Sequence, residues 1–116
     1  MIENLQATDP EDVKIINLAR ASLARSQARE AACVRDTDGR TYAGTSVALP
    51  HLNLSALQVA VAMAVSSGAP GLEAAALVGE ADPSAEDLLV LGDLPGIEVA
   101  VWHADASGAV RSVVTL

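Results

Sequence analysis

Helical stretches alternate with short apolar runs along this chain, and that alternation narrows the fold more than any other feature. Asp9-Pro10-Glu11-Asp12 opens the first helix: Asp9 caps it, Pro10 suits its first turn, and the two acids face the positive end of the helix dipole. Val13, Ile16 and Leu23, with alanines between them, give this helix an apolar face to about Ser26. Two β-rich runs follow, Ala28–Arg35 and Arg40–Gly44, joined by Asp36-Thr37-Asp38-Gly39. An Asp-Gly step between such runs predicts a hairpin, because glycine tolerates positive φ. Pro50 to Asn53 reads as a loop, and Asn53 or Ser55 caps a second helix that ends near Ser67-Gly68. Leu57, Val61, Ala64 and Val65 recur at helical spacing, while Val59 and Met63 widen the stripe, so this helix should be buried on most sides.

Leu72–Gly79 is a short apolar run with the character of a central strand. Asp82-Pro83-Ser84-Ala85-Glu86-Asp87 opens a third, short helix capped by Asp82 or Ser84, and Leu94-Pro95-Gly96 breaks it. Ile97–Trp102 alternates apolar and mixed positions as a strand does, Ala106-Ser107-Gly108 turns the chain, and Val110–Leu116 forms the last strand. Helix, hairpin, helix, strand, helix, strand, strand is the order of an α/β fold. It predicts one domain spanning residues 1–116, with a mixed sheet covered by helices on both faces.

Composition excludes whole classes of function. Half of the chain is apolar, 51%, which excludes intrinsic disorder, and polar residues interrupt every apolar run well short of the roughly 20 residues a membrane helix needs. Met1 to Asp12 lacks the basic-then-apolar layout of a signal peptide, so a soluble cytoplasmic protein is expected, with no membrane partner. A net charge of −8 with seven basic residues argues against nucleic acid, whose phosphates must be neutralised. The only aromatic residues are Tyr42 and Trp102, few for stacking on a base. One cysteine, Cys33, excludes an internal disulfide and a cysteine-rich zinc site. Six of the seven basic residues are Arg and alanine is abundant, a composition that points to a bacterial genome rich in G and C.

The hairpin with Asp38-Gly39-Arg40, then Tyr42-Ala43-Gly44, Val47 and the buried second helix resembles the first half of a cytidine deaminase. Ser55 to Gly68 matches that family's helix without a gap, down to the closing Ala64-Val65-Ser66-Ser67-Gly68. Pro83-Ser84-Ala85-Glu86-Asp87-Leu88-Leu89-Val90-Leu91 matches the family's Pro-Cys-Gly-x-Cys-Arg-Gln-Val-Leu. Val99-Ala100-Val101, Gly108 and Val110 to Leu116 resemble its last two strands, so the likeness runs from about Val13 to the end. It implies a cytidine-deaminase-like three-layer α/β/α sandwich with a mixed five-stranded sheet.

The departures from the pattern decide what the resemblance implies for function. A zinc deaminase needs the metal to acidify a water and a carboxylate to carry protons to the ring. In the family Cys-Ala-Glu opens the second helix; here the first thiolate position is Ser55 and the proton-shuttling Glu is Leu57. The other two thiolate positions are Ser84 and Asp87. The ribose-holding Asn-Val-Glu reads Ser46-Val47-Ala48, and the Phe of the first strand aligns with Ala28. Hydroxyls are poor zinc ligands at neutral pH, and one carboxylate does not replace three thiolates. The expectation is a protein with no catalytic, substrate-binding or metal-ligating residues at these positions, no cofactor, and no deaminase activity.

Other residues invite sharper readings that weigh less. His51 in a His-x-Glu register would be followed by Asn53 in place of the Glu, so it reads as a loop histidine. His103 stands at a strand end beside Asp105 and reads as solvated. Asp36-Thr37-Asp38-Gly39 lacks the closing Glu of a calcium loop. Cys33 lies mid-strand as a small buried residue, and no Gly-x-Ser-x-Gly elbow presents a nucleophile. Glu80, Asp82, Glu86, Asp87 and Asp93 read as a solvated face. Two functions follow: a homo-oligomeric interaction or scaffold protein, dimer or tetramer, with an unknown protein partner; or a binder of a nucleoside-like or anionic small molecule in the vacated pocket, at whose helix N-termini free N–H groups attract anions. An active deaminase with substitute ligands is a third, weaker reading.

Overall fold

The computed structural model describes residues 5–116, in which three helices cover a five-stranded sheet. Helix α1 spans Pro10–Ala24, and Asp9 caps it by accepting from the Glu11 backbone N–H. Strands β1 (Ala31–Asp36) and β2 (Thr41–Thr45) form the expected hairpin, with Gly39 at φ +84° in its turn. The Asp36 carboxylate accepts from the Asp38 and Arg40 backbone N–H groups and from the Tyr42 hydroxyl at 2.8 Å. Burial pushes its pKa up, but these three donors outweigh that and hold it below the ordinary range.

Of the expected loop Pro50 to Asn53, Pro50-His51 turns the chain, but Leu52 and Asn53 belong to a small antiparallel pair, β3 (Val47–Leu49) and β4 (Leu52–Leu54). Three-residue strands are too short to show periodicity, so Pro50 alone shaped that reading. Helix α2 follows at Ala56–Ser66, then β5 (Leu72–Val78), α3 (Ala85–Leu91), β6 (Ala100–Ala104) and β7 (Val110–Thr115). Strand β6 starts later than its alternation predicts. Glu98 adopts a left-handed φ of +50°, which swings Ile97 out to 89% exposure and delays pairing until Ala100.

The main sheet has the order β2-β1-β5-β6-β7; β5 and β6 run parallel and the other neighbours antiparallel. Side chains alternate across it, and each face has its own core. On one, Ile15, Ile16 and Ala19 of α1 meet Ala31, Cys33, Ala76 and Val78. On the other, Leu57, Ala60, Val61 and Ala64 of α2, with Leu91 of α3, meet Ala32, Val34, Ala75, Leu77 and Val101. This is the three-layer arrangement expected. Two faces differ in detail. Val13 of α1 is exposed, with Ile15 taking the buried position; and α2 is not buried on most sides, because Met63 and Val65 face outward.

The parallel pair fixes where a site can form. Ala31 at the start of β1 pairs with Val78 at the end of β5, and the amino ends of α2 and α3 meet at that same edge. Crevices beyond the carboxyl ends of parallel strands are where α/β folds hold ligands.

Candidate functional site

Ser55 and Ser84 each close a capping box, and the two boxes are tied together. Ser55 Oγ accepts from the Gln58 backbone N–H at 3.1 Å, while Gln58 Oε1 accepts from the Ser55 N–H. Ser84 Oγ accepts from the Asp87 N–H at 3.0 Å, and Asp87 Oδ2 accepts from the Ser84 N–H at 3.4 Å. The Ser55 hydroxyl then donates to Asp87 Oδ1 at 2.6 Å, joining residues 32 positions apart. The three positions that the resemblance assigns to thiolates therefore do converge. Asn53 and Asp82, the alternative caps, do not cap these helices.

Asp87 corrects the solvated-face reading: it is 5% exposed, and both its oxygens are occupied. Its place at the third position of α3 aims it at the α2 terminus, which charge clustering in the sequence does not reveal. Leu57 is fully buried among Ala32, Val61 and Leu77, in the core under the site. Two hydroxyls and one carboxylate, already hydrogen-bonded to each other and to helix N–H groups, do not suit zinc, which favours thiolate and imidazole donors. Among the described residues no group of three or more His, Cys, Asp or Glu is placed to hold a metal ion.

Ala28, Ser46 and Ala48 line one concavity of about 580 Å³ with Asn53 and Ser55, so the positions assigned to sugar and ring contacts also share a site. Glu30 stands in its wall, a residue that the sequence reading missed. An acid directly before the apolar run Ala31-Ala32-Cys33-Val34 was the available signal. Burial pushes the Glu30 carboxyl above its ordinary range, against the pull of the Ala56 backbone N–H, and the nearby Asp87 charge adds to the rise. Its Oε2 is buried without a partner.

His103 is likewise not solvated. It is 3% exposed, with Nε2 2.8 Å from the Gly79 carbonyl oxygen and Nδ1 2.9 Å from Asp82 Oδ1. Its strand position placed it correctly in the sheet, but the connector after β5 folds over it. Cys33 is buried as expected, and burial pushes its thiol up to about 11, so it is no nucleophile. His51 lies exposed in the β3–β4 turn, away from any such partner set. Among the described residues no helix is long and apolar enough to cross a membrane.

The sequence profile of the family described as cytidine deaminase-like matches residues 8–108. The chain belongs to that family. Its fold is similar to the cytidine deaminase from Burkholderia pseudomallei, with a TM-score of 0.76 and 23% identity over 88% of this chain and 90% of that one. It is similar to the cytidine deaminase from Mycobacterium leprae, with a TM-score of 0.70 and 20% identity over 88% and 90%. The enzyme from Mycobacterium tuberculosis matches with a TM-score of 0.68 and 25% identity over 80% and 85%. No curated protein matches the chain.

Proposed function

We propose that this protein is a catalytically inactive member of the cytidine deaminase-like family that works as a cytoplasmic homo-oligomeric interaction or scaffold protein. One observation carries the reading: Ser55 donates to Asp87 at 2.6 Å where the resemblance assigns two metal ligands. Those side chains serve as caps and as a link between two helices, and Leu57 packs in the core where the resemblance assigns the proton carrier. Proton transfer to a base needs a carboxylate or imidazole within hydrogen-bond reach, and a buried leucine offers none. The exposed apolar side chains of β3, β4 and α2 supply a surface for assembly.

Elemental analysis of the purified protein, beside an ultraviolet assay of cytidine loss, tests the reading. No zinc should survive dialysis against a weak chelator, and cytidine absorbance should not change. Stoichiometric zinc or measurable turnover would overturn it. Restoring the set with Ser55→Cys, Leu57→Glu, Ser84→Cys and Asp87→Cys should recover metal but little activity, because Ala28, Ser46 and Ala48 still lack the sugar and ring contacts. The concavity of about 580 Å³ favours the second reading, a small-molecule binder. An anion is the weaker choice of ligand there, since the chain's own Glu30 carboxyl already lies against the Ala56 N–H.

A further inference from the structure

His103 faces two hydrogen-bond acceptors at once. The Gly79 carbonyl oxygen, 2.8 Å from Nε2, has no proton to give, and the Asp82 carboxylate, 2.9 Å from Nδ1, has none either. A neutral imidazole carries one N–H and serves one acceptor; both bonds together require the doubly protonated ring. We propose that His103 is a proton-operated latch: the charged ring ties the connector 79–84 to β6, and loss of its proton releases the Asp82 arm.

The unequal exposure of the two acceptors determines which arm opens. The contact at Gly79 is buried, and a carbonyl left there without a donor bears the full desolvation cost. The Asp82 side chain is 74% exposed, so water replaces the ring as its donor. The neutral ring therefore keeps its proton on Nε2 and gives up Nδ1. Asp82 also accepts from the Ser112 hydroxyl at 3.2 Å, so the latch joins the connector to β6 and β7 together. The connector leads directly into Ser84 and α3, and so into the Ser55–Asp87 link.

Charged groups reach the ring from each neighbouring segment. Glu80 and Asp82 of the connector, Asp105 of the β6–β7 turn and Arg111 of β7 line the concavity beside it, and Glu30 acts on it from the start of β1. Arg111 is paired with Asp105 at 3.0 Å, and hydrogen bonds from Ser107 and then Arg111 pull the Asp105 carboxyl down to about 2. The latch rests on this geometry alone, so a positive zinc or cytidine assay would leave it standing.

Nitrogen-15 NMR of the full chain between pH 5.5 and 8.5 tests it, with the exposed His51 as the internal reference. Both His103 ring nitrogens should be protonated at the acid end and only Nε2 at the alkaline end. The backbone amides of Asp82, Ser84 and Ser112 should shift along the same titration curve. In Asp82→Asn those amides should stop following the ring, while the ring still selects Nε2–H. A neutral ring protonated on Nδ1, a ring that keeps one state across the range, or amides that ignore the His103 curve would each overturn the proposal. The wild-type titration decides the matter even where the variant does not fold.

Discussion

Ser55 shows how a position assigned to a metal ligand can be fully accounted for by hydrogen bonding. Its hydroxyl accepts from the Gln58 N–H as a helix cap and donates to Asp87 at 2.6 Å, so its donor and one acceptor site are in use. Ser55→Ala removes both contacts and leaves the buried Asp87 Oδ1 without a donor. A lost cap costs about 1 kcal/mol and a deprived buried carboxylate oxygen about 1–3, so urea unfolding should show a loss of about 2–4 kcal/mol. Asp87→Asn keeps a polar side chain but removes the charged acceptor. A double-mutant cycle of these two changes should give a coupling of about 1 kcal/mol or more, as expected for residues in direct contact. Strict additivity would mean that the link contributes nothing and that Ser55 is only a cap.

At the scale of elements, α1 is held to the sheet by a buried charge cluster as well as by its apolar face. Arg35 of β1 donates from Nη2 to Asp12 at 3.0 Å and from Nε to Glu73 at 2.9 Å, and the Trp102 indole N–H donates to the other Asp12 oxygen at 3.1 Å. Arg35 and Asp12 are both nearly excluded from water. Asp12→Ala strands the guanidinium with the half-exposed Glu73 as its one remaining partner, and should cost about 3 kcal/mol. The intrinsic fluorescence of Trp102, the only tryptophan, reports both the unfolding and the change beside Asp12. Adding Arg35→Met removes the stranded charge, so the double variant should be more stable than Asp12→Ala alone; an additive loss would show that packing, not charge, holds α1. Little of this cluster was legible in the sequence, because Asp12 reads as a first-turn acid and Arg35 as a strand-end charge until β1, β5 and β6 stand side by side. The helices were legible because Asp9, Ser55 and Ser84 cap locally, within three residues. The link between Ser55 and Asp87 spans 32 positions and could be placed only through the resemblance, whereas Glu30 and the burial of His103 depend on chain segments packing from elsewhere.

On the whole molecule, exposed apolar side chains are scattered, with Ile97 and Leu89 among them, but four fall on three consecutive elements. Leu49 of β3, Leu52 of β4, and Met63 and Val65 of α2 are all exposed, Leu49 and Val65 by more than half. Covering such side chains removes apolar area from water at about 25 cal/mol per Å² before the costs of association are met. A standard interface buries about 800 Å² per partner, roughly an eighth of the 6757 Å² this chain exposes. Closed assemblies of one chain are mostly symmetric, so a substitution on the shared face acts at least twice in each dimer. Light scattering at micromolar concentration should therefore give a mass of at least twice 11.8 kDa. Leu52→Glu with Val65→Glu adds two charges to a chain already at −8, at two exposed apolar positions of these elements, and should yield monomer. Because both side chains are exposed in the single chain, the same pair should change its unfolding free energy by less than about 1 kcal/mol, which separates lost assembly from lost folding. A wild-type protein that scatters as a monomer would remove assembly from the proposed function and leave the concavity around Ser46 and Asn53 as the surface to explain.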